Sequence, residues 1–130
     1  KYIWLKSGAS LVIEHTEAMT VIDVNTGSVL KKKKQEDTLF YQINREAAKE
    51  IARQLRLRNI SGIIMIDFIN MKDTAQKEKL LSLLDSECKK DRVHCNVIDM
   101  TALNLVEMTR SKVRKPLHEQ IRSCMKNNRS

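Results

Sequence analysis

Glycine, proline, cysteine and aromatic residues are all scarce in this sequence, and each scarcity closes off a class of protein. Three Gly and one Pro among 130 residues, beside 42% hydrophobic and 31% charged side chains, fit an ordinary globular chain rather than a disordered one. At this length one domain can bury a core, but the chain does not divide in two. Cys88, Cys95 and Cys124 are odd in number and unrelated in spacing. That argues against a disulfide framework and for a reducing, cytoplasmic setting. Cys88 and Cys95 read instead as small core residues. No apolar run approaches the roughly 18 residues that a membrane span needs. Lys1 and Lys6 bracket too short an apolar stretch for a signal peptide. Position 1 is not Met, so the chain is expected to be a piece of something longer.

Negative charge is also in deficit. Twenty-four Lys and Arg against sixteen Asp and Glu leave a net charge of +8, which favours a polyanionic partner, either nucleic acid or an anionic surface. Rings suited to base stacking are few: Tyr2, Trp4, Phe40, Tyr41 and Phe68. A lone Trp or Phe in a strand is more often core than a stacking platform.

What is present is an alternation of extended and helical patterns. Tyr2 to Leu5 reads as a short strand closed by a turn at Ser7 and Gly8, and Leu11 to Glu14 and Met19 to Val24 read as further strands. The stretch from Asn25 to Thr38, with Gly27 and the run Lys31 to Lys34, reads as a loop or hairpin tip. The spacing predicts a helix over 42–58, with Ile43, Ala47, Ala48, Ile51, Ala52 and Leu55 on one face and a stop at Asn59 and Gly62. Gly62 to Phe68 contains four apolar residues in succession, which predicts a central strand buried on both faces. Asp73 with Gln76 resembles a capping box for a second helix reaching about Arg92, with Leu80, Leu81, Leu84 and Cys88 buried. Cys95 to Ile98 and Leu103 to Met108 are two more short strands. Pro116 ends any helix before it, and residues 119–130 read as a polar tail. The order predicts an α/β (α+β) fold, a mixed β-sheet packed by two main helices.

Two aspartates stand where a carboxylate is costly. Asp23 and Asp67 each follow an apolar strand near its C-terminal end, and burial there needs a partner. If the two strands are neighbours, both carboxylates can enter one crevice. Magnesium takes oxygen ligands, keeps several waters and is often held by one or two carboxylates plus substrate phosphate. Asn25 lies on the same strand face as Asp23 and can orient a carboxylate or a water. On spacing alone, caps or ion pairs with nearby lysines remain the commoner use of such aspartates. His15, His94 and His118 are scattered with no Ser or Cys in a catalytic motif, and no Cys/His set has zinc spacing. Neither a Walker-type phosphate loop nor GxGxxG is present. Lys31, Lys32, Lys33 and Lys34, and the helical stripe of Arg45, Lys49, Arg53 and Arg56, are candidate RNA contacts. A charge run is usually just solvated, and Glu46 and Glu50 can neutralise the stripe.

Four blocks carry a resemblance: residues 16–27, centred on Ile22-Asp23-Val24-Asn25; residues 46–58; residues 62–71, centred on Ile66-Asp67-Phe68; and Leu105 to Arg110. In this order they resemble the catalytic region of RNase E/G endoribonucleases over nearly the whole chain. The resemblance implies the DNase I-like subdomain of that family over residues 1–118. It also implies that Asp23 and Asp67 bind a catalytic Mg²⁺ (or Mn²⁺), with Asn25 as the orienting partner. The implied activity is internal hydrolysis of single-stranded RNA, by in-line attack of a water on phosphorus, in RNA processing and decay. The alternative is a catalytically silent RNA-binding or oligomerisation module with the same fold.

The chain departs from the family pattern at several points. Asn70 stands where many members carry a second acidic residue, and Ala9 and Asn104 stand where Gly is common. Cys124 matches the first cysteine of a zinc-sharing CxxC pair, but Asn127 occupies the second position, so the zinc link is doubtful, while a homo-oligomer stays open for the full-length protein. The family's RNA-binding, 5′-sensing and RNase H-like parts are expected upstream of Lys1.

Overall fold

The computed structural model describes residues 1–27 and 36–112. Lys31 to Lys34, Pro116, His118, Cys124 and the tail lie outside the described residues. The elements are β1 (Tyr2–Trp4), β2 (Ser10–His15), β3 (Met19–Asn25), α1 (Glu36–Leu57), β4 (Gly62–Asp67), α2 (Thr74–Cys88), β5 (Cys95–Met100) and β6 (Leu105–Arg110). The strands form one six-stranded sheet in the order β1-β2-β3-β4-β6-β5. β3 and β4 pair in parallel, whereas the other neighbours pair antiparallel. The mixed α+β sheet with two helices is therefore as the sequence pattern predicts.

Period-2 alternation decides which side of the sheet is covered. Leu11 and Ile13 on β2, Ile22 and Val24 on β3, Ile64 and Ile66 on β4, and Val106 and Met108 on β6 are all buried. Register places them on one face. Against that face α1 sets Ile43, Ala47, Ala48, Ile51 and Leu55, and α2 sets Leu80, Leu84 and Cys88, in one core cluster. The second face has no such cover: Ile63 is 47% exposed and Val21 36%. This corrects the reading of β4 as buried on both faces. The strand is central, but its odd-numbered residues face outward.

The helices differ from the sequence reading at their ends. α1 begins at Glu36, six residues before the predicted start, because Leu39 and Phe40 already pack on the core. It ends in a Schellman turn. Asn59 takes φ 53°, the Ile60 N–H donates to Leu55 O at 3.0 Å, and both Ile60 and Leu55 are buried. α2 starts as expected at an Asp73 cap, whose side chain accepts from Ala75 N at 2.9 Å. The reciprocal half of the box is missing, since the buried Gln76 Oε1 has no partner. The helix stops at Cys88 rather than Arg92 because Asp91 is committed elsewhere. Its carboxylate accepts from Arg110 Nε at 2.8 Å and from Val93 N at 3.0 Å. Cys88 is buried, as a small core residue, and both it and Cys95 are free thiols.

Candidate functional site

β3 and β4 each deliver one aspartate, and the register brings them side by side. Asp23 and Asp67 are direct Cα partners across the parallel pair, at the C-terminal ends of both strands. Adjacent strands lie about 4.8 Å apart and partnered side chains share a face, so the two carboxylates stand together on the uncovered side. They line a trough of about 680 Å³ whose floor is the outward row of Met19, Val21, Ile63, Met65 and Leu105, with Glu14 and Glu107 at its sides. Asn25 ends β3 two residues beyond Asp23 on the same face, opposite Ser10.

Among the described residues the pair has no built-in counter-charge: neither aspartate makes an ion pair with Lys or Arg. Burial holds the Asp23 carboxyl above the usual carboxylate range, and the negative charge of Asp67 raises it further. A hydrogen bond from the Val24 backbone pulls the other way. Asp23 is half-buried and Asp67 exposed, and a partly desolvated carboxylate repelled by its neighbour is stabilised by an added cation. Among the described residues no cluster of three or more His, Cys, Asp or Glu forms a metal cage. Two carboxylates that leave the remaining positions to water and phosphate suit magnesium, which rarely takes an all-protein shell.

Three further contacts fix the frame around the pair, and none was evident in the sequence. Asn44, fully buried on α1, donates from Nδ2 to Ile69 O at 2.8 Å and accepts from Ile69 N at 2.9 Å. That clamps the segment leaving Asp67 onto the helix layer. The only signal was a polar residue beside Ile43 in an apolar helical stripe. On the other side, Asn104 takes φ 64°, the left-handed conformation that a glycine adopts readily. Its Nδ2 donates to Asn70 Oδ1 at 3.1 Å, and its Oδ1 accepts from Lys77 Nζ at 3.3 Å. Two of the positions that depart from the family pattern thus bond to each other. Thirdly, Gly27 (φ 60°) lies so close to Gly8 that a Cβ would meet the Gly8 carbonyl oxygen at 2.7 Å. Ala9, by contrast, is accommodated fully buried and without a left-handed backbone.

The basic stripe goes elsewhere. Lys49, Arg53 and Arg56 join Lys6 and Trp4 along a groove of about 650 Å³ between β1 and α1. None of them lines the aspartate trough. Arg53 is engaged with Glu50 at 2.9 Å, Arg45 lies over the Tyr41 ring at 5.6 Å, and a buried nitrogen of Arg56 has no partner. Of the histidines, His15 meets Thr20 Oγ1 at 3.1 Å on β2 and β3. Among the described residues no helix is long and apolar enough to cross a membrane.

A parallel pair of strands presenting two adjacent carboxylates on an open sheet face defines an acidic site suited to a hard cation. Comparison with known proteins gives the chain a family. The Ribonuclease E/G family model matches residues 1–113. Ribonuclease G of Escherichia coli is 48% identical over 113 residues, which is 87% of this chain and 23% of that protein. Ribonuclease G of Haemophilus influenzae is 48% identical over 117 residues, 90% of this chain and 24% of that one. Ribonuclease E of a Nostoc species is 42% identical over 115 residues, 88% of this chain and 17% of that one. The chain belongs to the Ribonuclease E/G family, and it spans about a quarter or less of the length of these relatives.

Proposed function

We propose that this chain is the catalytic part of a magnesium-dependent endoribonuclease that cuts single-stranded RNA in RNA processing and decay. In this reading Asp23 and Asp67 jointly hold the metal ion, with manganese able to replace magnesium. The observation that carries it is the direct cross-strand pairing of the two aspartates on the uncovered sheet face. Their charge, unpaired among the described residues, and the raised Asp23 supply the affinity for a cation. Family membership, with Ribonuclease G and Ribonuclease E among the relatives, supports RNA as the substrate.

A divalent ion in this position polarises a phosphodiester and offsets the charge that develops on it. The chain's own residues do the rest. β3 and β4 hold the two carboxylates at fixed separation, and the Asn44 clamp keeps the segment after Asp67 from drifting. Asn25 presents an amide one strand step away, placed to orient the attacking water or a carboxylate. Lys6, Lys49, Arg53 and Arg56 share a separate groove with Glu46, Glu50 and Glu87, so only the cations these acids leave free are available to an RNA backbone.

The test is a magnesium titration of the chain followed by NMR, alongside cleavage of a labelled single-stranded RNA by the protein that contains it. Asp23→Asn and Asp67→Asn are each expected to abolish the metal-induced shifts at both positions and to abolish cleavage while leaving RNA binding intact. Metal-induced shifts confined to other residues would overturn the assignment.

A further inference from the structure

We propose that Tyr2 and Trp4 form a base-stacking platform for the RNA strand that crosses the aspartate pair. This rests on the reading of Asp23 and Asp67 as the cleavage site. A single row of register supports the platform. Tyr2 partners Val12, Val12 partners Asp23, and Asp23 partners Asp67, so all four share the uncovered face in one line across four strands. Trp4 heads the next row, Trp4–Ser10–Asn25, and at the sheet edge it also borders the groove between β1 and α1. With strands about 4.8 Å apart, Tyr2 stands about 10 Å from Asp23 and about 14 Å from Asp67. A phosphodiester at the aspartates therefore places a neighbouring base of the same strand over the aromatic edge.

The two rings are not where a core would put them. Tyr2 is 67% exposed and Trp4 69%, and their centroids lie 6.3 Å apart at a 33° tilt. The expectation that a lone Trp in a strand is core does not hold for Trp4. Two large rings bared on an edge strand invite aggregation unless something uses them. Lys1 and Lys6 bracket them, both exposed, so the edge offers positive charge for phosphates beside rings for bases. An aromatic-bearing sheet face flanked by cations is how single strands are held without sequence readout. A duplex keeps its bases stacked on one another and cannot use such a platform. The row thus selects single-stranded substrate within this chain itself.

Trp4 is the sole tryptophan, so its fluorescence reports the contact directly. The chain is titrated with a short single-stranded oligoribonucleotide, with an abasic oligomer of the same length, and with duplex RNA. Saturable quenching by the first alone is expected. Replacing both rings, Tyr2→Ala with Trp4→Leu, is expected to weaken binding of a dye-labelled single strand by about 5- to 150-fold, the usual worth of a stacked base. Trp4→Phe should restore most of that affinity. Saturable single-strand binding without quenching, equal quenching by the abasic oligomer, no saturable binding, or a dimer that buries Trp4 and excludes RNA would each overturn the platform. A magnesium titration of the same samples separates the two readings. Intact metal shifts at Asp23 and Asp67 without quenching sink the platform alone, and quenching without those shifts sinks the metal site alone.

Discussion

Replacing Asn44 by alanine tests whether the helix layer holds the acidic pair in place. The side chain is completely buried and makes two hydrogen bonds to one residue, the N–H and C=O of Ile69. Truncation leaves both backbone groups unpaired in a cramped site. Each unsatisfied group costs about 1–3 kcal/mol, so the loss is roughly 2–5 kcal/mol after partial relaxation. Native stability is itself only about 5–15 kcal/mol, so a third of it is at stake. Urea unfolding followed by circular dichroism measures the change, which should move the midpoint and leave the slope alone. Amide exchange at Ile69 should rise sharply. Ile69 lies two residues past Asp67, so magnesium affinity should also fall several-fold. A destabilisation below about 1 kcal/mol with the Ile69 amide still protected would refute the clamp.

Asp23→Asn should stabilise the metal-free chain at neutral pH. A carboxylate whose folded-state pKa is raised costs stability once pH exceeds the unfolded value of 3.8, and removing one of two adjacent like charges recovers about 1 kcal/mol. A melt in EDTA checks this, and a lower Tm than the parent would contradict the account. Arg110→Met should cost about 3–5 kcal/mol in chemical denaturation, because it strands the buried Asp91 carboxylate. Burial pushes Asp91 up, but the Arg110 hydrogen bond leads the contacts that outweigh it and hold the carboxyl below 3.8. Its contribution is therefore present above that pH and lost as pH falls through the lower folded value, and Asp91→Asn should flatten that acid limb. Gly27→Ala should cost about 2 kcal/mol or more by thermal melt, since left-handed backbone and contact with the Gly8 oxygen act together.

Strand positions, the α1 stripe and the two aspartates were legible because period and polarity are local properties. Ile43, Ala47, Ile51 and Leu55 announce a buried face wherever the helix goes. Neighbourhood is not local. That β4 lies beside β3, so that Asp67 meets Asp23 rather than another strand, depends on how α1 crosses over. The same blindness misjudged Ile63, whose apolar side chain looks core-like in sequence yet faces the trough. It also missed the first turns of α1, where Gly27 and the lysine run suggested a loop while Leu39 and Phe40 already belonged to the core. The basic stripe was visible as charge, but Glu50 and Tyr41 decide which members remain available.

The parallel seam between β3 and β4 has a consequence for how the site comes into being. Like the β4–β6 pairing, it is a contact that no tight turn can close, because a helix must be laid down between its halves. A partly folded chain can zip β1, β2 and β3 into a meander and still own only half of the acidic pair. In the proposed reading, divalent-ion binding therefore reports that the β3–β4 crossover is complete, and a lesion deep in α1 would silence it as surely as losing a carboxylate.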